Sequence, residues 1–244
     1  LGAAKQRQVL VIWLDGGMSQ LESWDPTPGT PFGGPFKSIP TSIPGIHVSE
    51  LLPQPAKRMH KLAVVRSMET KDNTHSIGVS RMLRGDPVNR GVDYPYLGSA
   101  LAKILDKGAS GLPPYVWIKP GSSGFIAQHA GFLGARYGAL ALGDGKPPVH
   151  INGSVSGELE EARQSLRRRA DARFKTGRQE SDIDAYEGCY DSALKLMRRK
   201  DLFEESAGSR KDAERYGSHA LGRHLLQARR LLEAGVLCVQ VTSY

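Results

Sequence analysis

Near its start the chain carries a continuous apolar run, Val9–Leu14, which ends abruptly at Asp15, Gly16 and Gly17. Apolar residues that follow one another without alternation are typical of a parallel strand that is covered on both faces. We therefore predict a central buried strand here, with Asp15 at its carboxyl end. Residues 26–45, which follow, are rich in proline and glycine and predict an ordered surface loop.

Downstream, the apolar pattern predicts helices that alternate with short strands. Ser49 is the predicted N-cap of a helix in which Pro53 and Pro55 are tolerated only within the first turn. A second buried strand is predicted over Leu62–Val65, and a helix from Thr74 or His75 to Leu83. The remaining predictions are a helix over Leu97–Leu105, a strand over Tyr115–Ile118, helices over about 158–174, 183–199 and 209–234, a C-cap at Gly235 and a strand over Val236–Val241.

This alternation predicts an α/β fold that spans residues 1–244 as a single domain, with a second loop-rich stretch over residues 120–157. The last predicted strand ends three residues before Tyr244. A strand that belongs to the centre of a sheet is normally followed by further strand and helix units. We therefore expect the chain to be the N-terminal part of a longer domain.

Lys and Arg outnumber Asp and Glu by 33 to 25, a net charge of +8. Much of the excess lies in three runs within predicted helices, Arg167–Arg169, Arg198–Lys200 and Arg229–Arg230, which we interpret as solvated helix faces. Because no aromatic residues are interleaved for base stacking, we expect no nucleic-acid partner. No apolar run approaches the ~20 residues that a membrane span requires. Oligomeric state is not predicted.

The two cysteines, Cys189 and Cys238, are far apart and form neither a CxxC motif nor a metal-binding spacing. A disulfide framework is therefore not expected. Cys238 lies in the apolar run of the last predicted strand, where the simplest interpretation is a small buried hydrophobic side chain.

The first candidate for chemistry is Asp15, because ligands of open α/β sheets bind beyond the carboxyl ends of the strands. Its carboxylate could bind a divalent metal, and the two glycines after it let the backbone approach a ligand closely. The alternative is an aspartate that caps a turn or a helix start. Asp25, ten residues further on, is assigned to a turn because Pro26 follows it.

The second candidate is the segment Glu69–Ser76, which is dense in nucleophile, ligand and capping residue types. A hydroxyl such as that of Thr74 would lie at a helix N-terminus, where the helix dipole and free N–H groups favour an oxyanion. His75 could bind a metal, act as an acid or base, or simply cap and pack. Arg81 is a possible contact for an anionic substrate, and solvated charge is expected for at least one of Arg81 and Arg84.

Several segments together resemble one bacterial family, domain of unknown function 1501, of the alkaline phosphatase and sulfatase superfamily. The resemblance covers nearly the whole chain and is weakest over residues 140–200. The matching segments are Val11–Gln20 with Trp24–Pro26, Gly34–Lys37, Pro44–Ile46, Ser49–Pro53, Leu62–Met68 with His75, Tyr96–Gly98, Leu112–Tyr115, Arg215–Gly217 and Ala228–Val236.

The resemblance implies a three-layer αβα sandwich of the alkaline phosphatase-like type, incomplete at its C-terminus, and two-metal hydrolysis of esters. It implies Asp15 as a metal ligand, Thr74 or His75 at the nucleophile or ligand position, Arg81 as a substrate contact, and zinc, calcium or manganese as the metal. The substrate would be an anionic ester. Because exported relatives often carry a twin-arginine leader upstream of the segment that matches Lys5–Leu10, a periplasmic or otherwise extracytoplasmic location is also implied.

We therefore expect a metal-dependent hydrolase of phosphate or sulfate esters. A formylglycine sulfatase is disfavoured, because neither cysteine lies in the C/S-x-P-x-R motif of that class. The rival is a non-catalytic binding or structural protein that keeps the fold without the nucleophile, since a fold does not imply a function. A third hypothesis, nucleic-acid binding, rests on net charge alone.

Overall fold

The computed structural model describes residues 7–85, 91–106, 110–118, 130–144, 146, 151, 156–176, 180–204 and 209–243. The chain divides into two compact units, one made of the residues up to 13 with 72–243, the other of residues 14–71. The first unit contains strands β1 (Val9–Leu14), β4 (Tyr115–Ile118), β5 (Leu140–Ala141) and β6 (Cys238–Ser243), with helices α2 (His75–Arg84), α3 (Leu97–Leu105), α4 (Gly157–Lys175), α5 (Glu180–Met197), α6 (Ser209–Tyr216) and α7 (Ala220–Glu233). The second contains β2 (Ser38–Pro40), β3 (His47–Ser49) and α1 (Pro53–Lys57).

The sheet of the first unit has the strand order β1-β6-β4-β5. β4 pairs in parallel with β6, from Tyr115 opposite Cys238 to Ile118 opposite Val241, and in parallel with β5. The predicted α/β class with a mostly parallel sheet is therefore confirmed. The last strand does lie inside the sheet, between β1 and β4, although it begins two residues later than the prediction of Val236.

Helices cover both faces of the β4–β6 pair. On one face α7 packs Ala228 and Leu231 into a core cluster with Val239 and Val241 of β6. On the other face α3 places Ala102 against Tyr115 and Cys238. Successive residues of a strand point to opposite faces, so β6 contributes to two cores at once. Cys238 is fully buried, as predicted, and burial raises the pKa of its thiol to about 12.

β1 spans the predicted residues, but the predicted central position with cover on both faces is wrong. Among the strands that the structure describes, β1 lies at the end of the sheet order. Val9 and Trp13 contact the buried clusters beneath α3 and α2, whereas Leu10 is 39% exposed and Ile12 47% exposed. Burial that alternates along a strand reflects cover on one face, since successive side chains point in opposite directions.

The second predicted strand, Leu62–Val65, is not a strand. These residues follow a 3-10 turn over Met59–Lys61 and have no regular structure. The side chain of Val65 is 65% exposed and that of Leu62 is 43% exposed. A strand requires a neighbour for its N–H and C=O groups, and the described residues place none beside this segment.

In the second unit, β2 and β3 form an antiparallel pair that packs on α1. Val48 of β3 is fully buried and contacts the cluster of Ala56 and Met59. The predicted N-cap at Ser49 is wrong, because pairing with Ser38 keeps Ser49 in β3. The helix begins instead at Pro53, and its two prolines lie in the first turn as predicted, where a missing N–H costs no helical hydrogen bond.

The single helix predicted over 209–234 is two helices. α6 ends at Tyr216, and Gly217 has the positive φ of 79°, which interrupts the helix. Gly222 of α7 then lies so close to the end of α6 that an added Cβ would be 2.1 Å from the carbonyl oxygen of Tyr216. At the far end Gly235 acts as predicted: its φ is 105°, and its N–H donates to the carbonyl of Leu232.

The other predicted helices agree closely with α2, α3, α4 and α5, and β4 matches its prediction. Part of the predicted loop-rich stretch 120–157 lies outside the described residues; the rest contains β5 and two 3-10 turns, Gly131–Leu133 and Ala135–Tyr137. None of the described helices combines the length and the hydrophobicity that a bilayer crossing requires.

Glycine at position 98 is predicted to be essential for packing α3 on the sheet. A Cβ at Gly98 would lie 2.3–2.6 Å from ring atoms of Tyr115, which is itself 1% exposed. We expect Gly98→Ala to lower the free energy of unfolding by about 1–3 kcal/mol in urea denaturation, because the ring cannot withdraw. The matched control is Gly78→Ala in α2, where a Cβ meets nothing within 4 Å; it should raise stability by about 0.5–1 kcal/mol. Equal effects of the two variants would contradict the packing explanation.

His224 is predicted to make folding sensitive to acid. It is 3% exposed on α7. Burial lowers the pKa of its imidazole, and the charge of Arg223 adds to this effect. A hydrogen bond with the backbone of Asp144 raises the pKa, but by less than burial lowers it. Below about pH 6.5 the imidazole binds a proton in the unfolded chain but not yet in the folded chain. The stability that is present above that pH is therefore lost as the pH falls.

We expect the free energy of unfolding to fall between about pH 7 and pH 5, and His224→Gln to remove part of that slope. The control His219→Gln, at an exposed histidine, should leave the slope unchanged. A slope that His224→Gln does not alter would show that another group is responsible.

Candidate functional site

Asp15 lies in the tight turn that follows β1. The N–H of Gly17 donates to the carbonyl of Leu14 over 3.1 Å, and Gly16 and Gly17 have φ values of 83° and 73°. This left-handed backbone favours glycine strongly. The half-buried Asp15 carboxylate makes no hydrogen bond or ion pair with any residue that the structure describes. Within those residues its side chain therefore does not cap the turn.

Asp25, by contrast, is held by neighbours within the second unit. Its Oδ2 accepts from Gln20 Nε2 at 2.9 Å, and its Oδ1 lies 3.6 Å from the guanidinium of Arg66. Arg66 also donates to the carbonyl of His47 over 2.8 Å. These contacts join residues 20–25 to the segment after α1. The N–H of Asp25 also donates to the carbonyl of Gln20 at 3.1 Å, at the end of the turn over residues 21–24, as predicted.

The N-terminus of α2 carries the residues that the sequence singled out as possible nucleophiles. Thr74 is the N-cap and His75 the first helical residue, and both are exposed. The Thr74 side chain does not cap the helix. Instead, its hydroxyl donates to Asp72 Oδ1 at 2.5 Å, and its N–H donates to the same oxygen at 2.7 Å. The structure therefore brings a carboxylate to Thr74.

Asp72 lies in the candidate segment Glu69–Ser76, but the sequence analysis assigned it no role of its own. The two hydrogen bonds from Thr74, with a smaller contribution from the charge of Arg81, lower the pKa of its carboxyl. At neutral pH the group is therefore an ionised acceptor that orients the Thr74 hydroxyl. An aspartate two residues before a threonine is the pattern of an Asx turn, and this pattern could have identified the pair.

α2 is anchored near the carboxyl ends of two strands. Val79 and Leu83 pack with Trp13 of β1 and Trp117 of β4, each the penultimate residue of its strand. Strand carboxyl ends are where α/β sheets bind ligands. The helix that carries Thr74 therefore lies over the edge of the sheet at which a site is expected.

The two arginines of α2 have different roles. The Arg84 side chain is 8% exposed, lies 3.2 Å from Asp93 Oδ1 and stacks 5.7 Å from the ring centre of Tyr96. It is a packing residue, and its charge is not solvated. Arg81 is half-buried, and its charge makes the smallest of the contributions that lower the pKa of the Asp72 carboxyl.

The described residues do not fit a complete metal centre. Across the described ranges, no three His, Cys, Asp or Glu residues come close enough together to hold an ion. Asp15 belongs to the second unit, whereas Asp72, Thr74, His75 and Arg81 belong to the first. We therefore describe Asp15 and the residues of α2 separately, and we derive no chemical step through a metal.

A cleft of about 680 Å³ lies elsewhere in the first unit, beside the amino end of β4. It is lined by Leu112, Arg136, Tyr137, Asp191 and Lys195, among others. None of the predicted site residues borders it. We give more weight to the N-terminus of α2, because a paired hydroxyl and carboxylate is a chemical feature, whereas cavity size alone specifies no reaction.

The comparison with protein families adds a match that spans nearly the whole chain. Residues 6–244 match the family described as protein of unknown function (DUF1501). No curated protein and no solved structure matches the chain. The resemblance expected from the opening motif and the later segments is thus confirmed at the level of the family, and the chain belongs to the protein of unknown function family DUF1501.

Proposed function

We propose that the protein is a metal-dependent hydrolase of phosphate or sulfate esters with a three-layer αβα fold of the alkaline phosphatase-like type. The observation that carries the proposal is the Thr74 hydroxyl bonded to the Asp72 carboxylate at the start of α2. A hydroxyl nucleophile needs an adjacent acceptor for its proton. A helix N-terminus supplies free N–H groups and a positive dipole end for an anionic ester.

In this proposal Thr74 is the nucleophile. Its Oγ1 attacks phosphorus or sulfur, a new oxygen bond forms to that atom, and the bond to the leaving alcohol breaks. The hydroxyl proton passes to Asp72, which already accepts it as a hydrogen bond. The departing alcohol oxygen takes a proton from His75 or from solvent. Water then hydrolyses the threonine ester and restores the free hydroxyl.

Arg81 and His75 would act around that step. The Arg81 guanidinium would bind an ester oxygen, since charge-assisted hydrogen bonds to oxyanions are stronger than neutral ones. His75, next in sequence to Thr74, would bind the metal or donate a proton to the leaving group. It makes no hydrogen bond with the described residues that would prevent either role.

The metal part of the proposal rests on the family resemblance and on Asp15. A bound zinc, calcium or manganese ion would neutralise charge on the ester and lower the pKa of a bound hydroxyl. The Asp15 carboxylate, without a partner among the described residues, is of the ligand type that such ions take. The proposal also includes an extracytoplasmic location, which rests on the family resemblance.

A second candidate is a binding protein that keeps the fold without turnover. The absence of three clustered metal-ligand residues among those described is the observation that favours it. Such a protein would bind an anionic ester at α2 and leave it intact.

The nucleophile can be tested by removing the hydroxyl alone. With p-nitrophenyl phosphate and p-nitrophenyl sulfate as substrates, we expect Thr74→Val to reduce kcat at least about 100-fold and Thr74→Ser to keep measurable activity. The matched control is Thr30→Val, which removes another exposed threonine hydroxyl, bonded to the Thr27 carbonyl at 2.9 Å. Full activity in Thr74→Val would exclude Thr74 as nucleophile. If the wild-type protein binds phosphate and hydrolyses neither ester, the binding protein is favoured.

The metal ligand can be tested without any activity measurement. We expect elemental analysis of the purified protein to find a divalent metal, and Asp15→Asn to weaken metal binding at least about 10-fold in a calorimetric titration. The control Asp201→Asn alters an exposed carboxylate that pairs with Arg199 at 2.7 Å; its metal affinity should equal that of the wild type. Unchanged affinity in Asp15→Asn would remove Asp15 from the proposed ligands.

A further inference from the structure

The cleft beside the amino end of β4 has an apolar wall of its own. Its volume of about 680 Å³ is that of a site for a small organic molecule. The apolar part of the wall includes Leu112, Phe132 and Leu133. The ring of Phe132 is 62% exposed and meets Tyr94 edge-on, with the ring centres 6.0 Å apart. The apolar body of a ligand would therefore contact aromatic and aliphatic side chains here.

Two positive charges lie around Tyr137, which also lines the cleft. The guanidinium carbon of Arg136 lies 5.9 Å from the centre of the Tyr137 ring, and the ammonium nitrogen of Lys103 lies 4.8 Å from it. Lys103 also donates to the phenol oxygen at 3.2 Å. Because an aromatic ring attracts an exposed cation only weakly, both charges remain able to bind a negatively charged group.

Helix α5 holds the stem of Arg136 in place. An added Cβ at Gly188 would lie 3.3 Å from Cγ of Arg136, so the helix packs directly on that side chain. The carbonyl of Ala135, the preceding residue, accepts a hydrogen bond from the Cys189 thiol at 3.4 Å. A guanidinium on a packed stem loses less conformational freedom when it binds an anion.

The carboxylates on the cleft wall already have partners. Glu187 lies 2.7 Å from the ammonium of the last lysine of α4. Asp191 lies 3.3 Å from the guanidinium of Arg167, which also pairs with Asp171. Asp106 has a contact of its own as well. A cationic ligand would therefore have to compete with contacts that exist.

The cations around the cleft have no such partners. Arg136 and Lys195 both line it, and Lys103 adds a third positive charge beside Tyr137. Within the part of the chain that the structure describes, none of these three forms an ion pair with a carboxylate. A cleft lined by unbalanced charge of one sign favours a ligand of the opposite sign.

We propose that this cleft binds a small organic anion, whose acidic group is held by Arg136 and Lys103 beside Tyr137 and whose apolar body lies against Phe132 and Leu133. The acidic group is an oxyanion such as a carboxylate or a phosphate, since these accept charge-assisted hydrogen bonds from a guanidinium and an ammonium. The cleft lies at the amino end of β4, and the proposal does not rest on the chemistry proposed for α2.

The first test uses anilinonaphthalene sulfonate, an aromatic anion whose fluorescence rises when it leaves water. We expect saturable binding to the wild-type chain with a dissociation constant on the order of 10–100 μM, the range usual for a ligand of this size. The affinity should fall as the salt concentration rises, because salt screens the attraction between exposed charges. Absence of saturable binding would overturn the proposal.

The second test removes one charge at a time. Arg136→Met and Lys103→Met each keep an unbranched apolar stem, and we expect each to raise the dissociation constant of the sulfonate at least about 5-fold. Binding of N-phenylnaphthylamine, which has the same rings without the acid, should stay unchanged in both variants. The control Lys211→Met removes an exposed charge on α6, away from the cleft wall, and should affect neither compound. Arg81→Met in α2 should likewise leave sulfonate binding unchanged.

Unchanged sulfonate affinity in both Arg136→Met and Lys103→Met would overturn the proposal. An equal loss of affinity for the neutral compound would also overturn it, because the charges would then not be what binds the anion. Displacement of the sulfonate by benzoate and by phenylphosphonate identifies the acidic group that the cleft prefers, as the competitor that acts at the lower concentration. If neither competitor displaced it, recognition of an oxyanion would be excluded.

Discussion

The parallel pairing of β4 with β6 is the constraint on which the first unit depends. It sets the two strands in register from Tyr115 opposite Cys238 to Ile118 opposite Val241. Two buried side-chain hydrogen bonds accompany this register: Tyr115 donates to Gln240 at 3.1 Å, and the Trp117 indole donates to Thr242 at 2.9 Å. A slip by one residue would turn these polar groups into the opposite core and leave them unpaired, which is costly in a buried environment. The polar residues of β6 therefore specify the register, while its valines supply the apolar contacts with α7.

The position of α2 follows from this sheet. The ring of Trp117 packs with Leu83 and Tyr96, and its indole N–H donates to the hydroxyl of Thr242 in β6. The residue that fixes the strand register thus also supports the helix that carries Thr74. A hydroxyl nucleophile must be held in place by a rigid element if it is to act at a defined point. The Asx turn of Asp72 adds local order by holding both the N–H and the hydroxyl of Thr74.

The sequence predicted elements well where the local pattern was strong. α3 and β4 match their predicted bounds, and α2 ends one residue beyond its predicted end. Two of the errors share one cause: they concern what lies beside an element. The apolar run of β1 suggested cover on both faces, yet Leu10 and Ile12 are exposed, and Leu62–Val65 has the composition of a strand but no neighbour. Composition reports what a segment could bury, and only its neighbours decide whether it does.

The same distinction between local pattern and neighbouring elements applies to the candidate site. The sequence by itself determined the family, the α/β class, the Asp-Gly-Gly turn after the first strand and the hydroxyl at the start of α2, because each depends on residues close together in the chain. The tertiary structure alone showed that Arg84 is buried against Asp93 and Tyr96, whereas Arg81 of the same helix is only half-buried. It also brought Lys103 and Arg136 together around Tyr137. The sequence could not decide these points, because the partner of a charged side chain is set by how the elements and the loops between them pack.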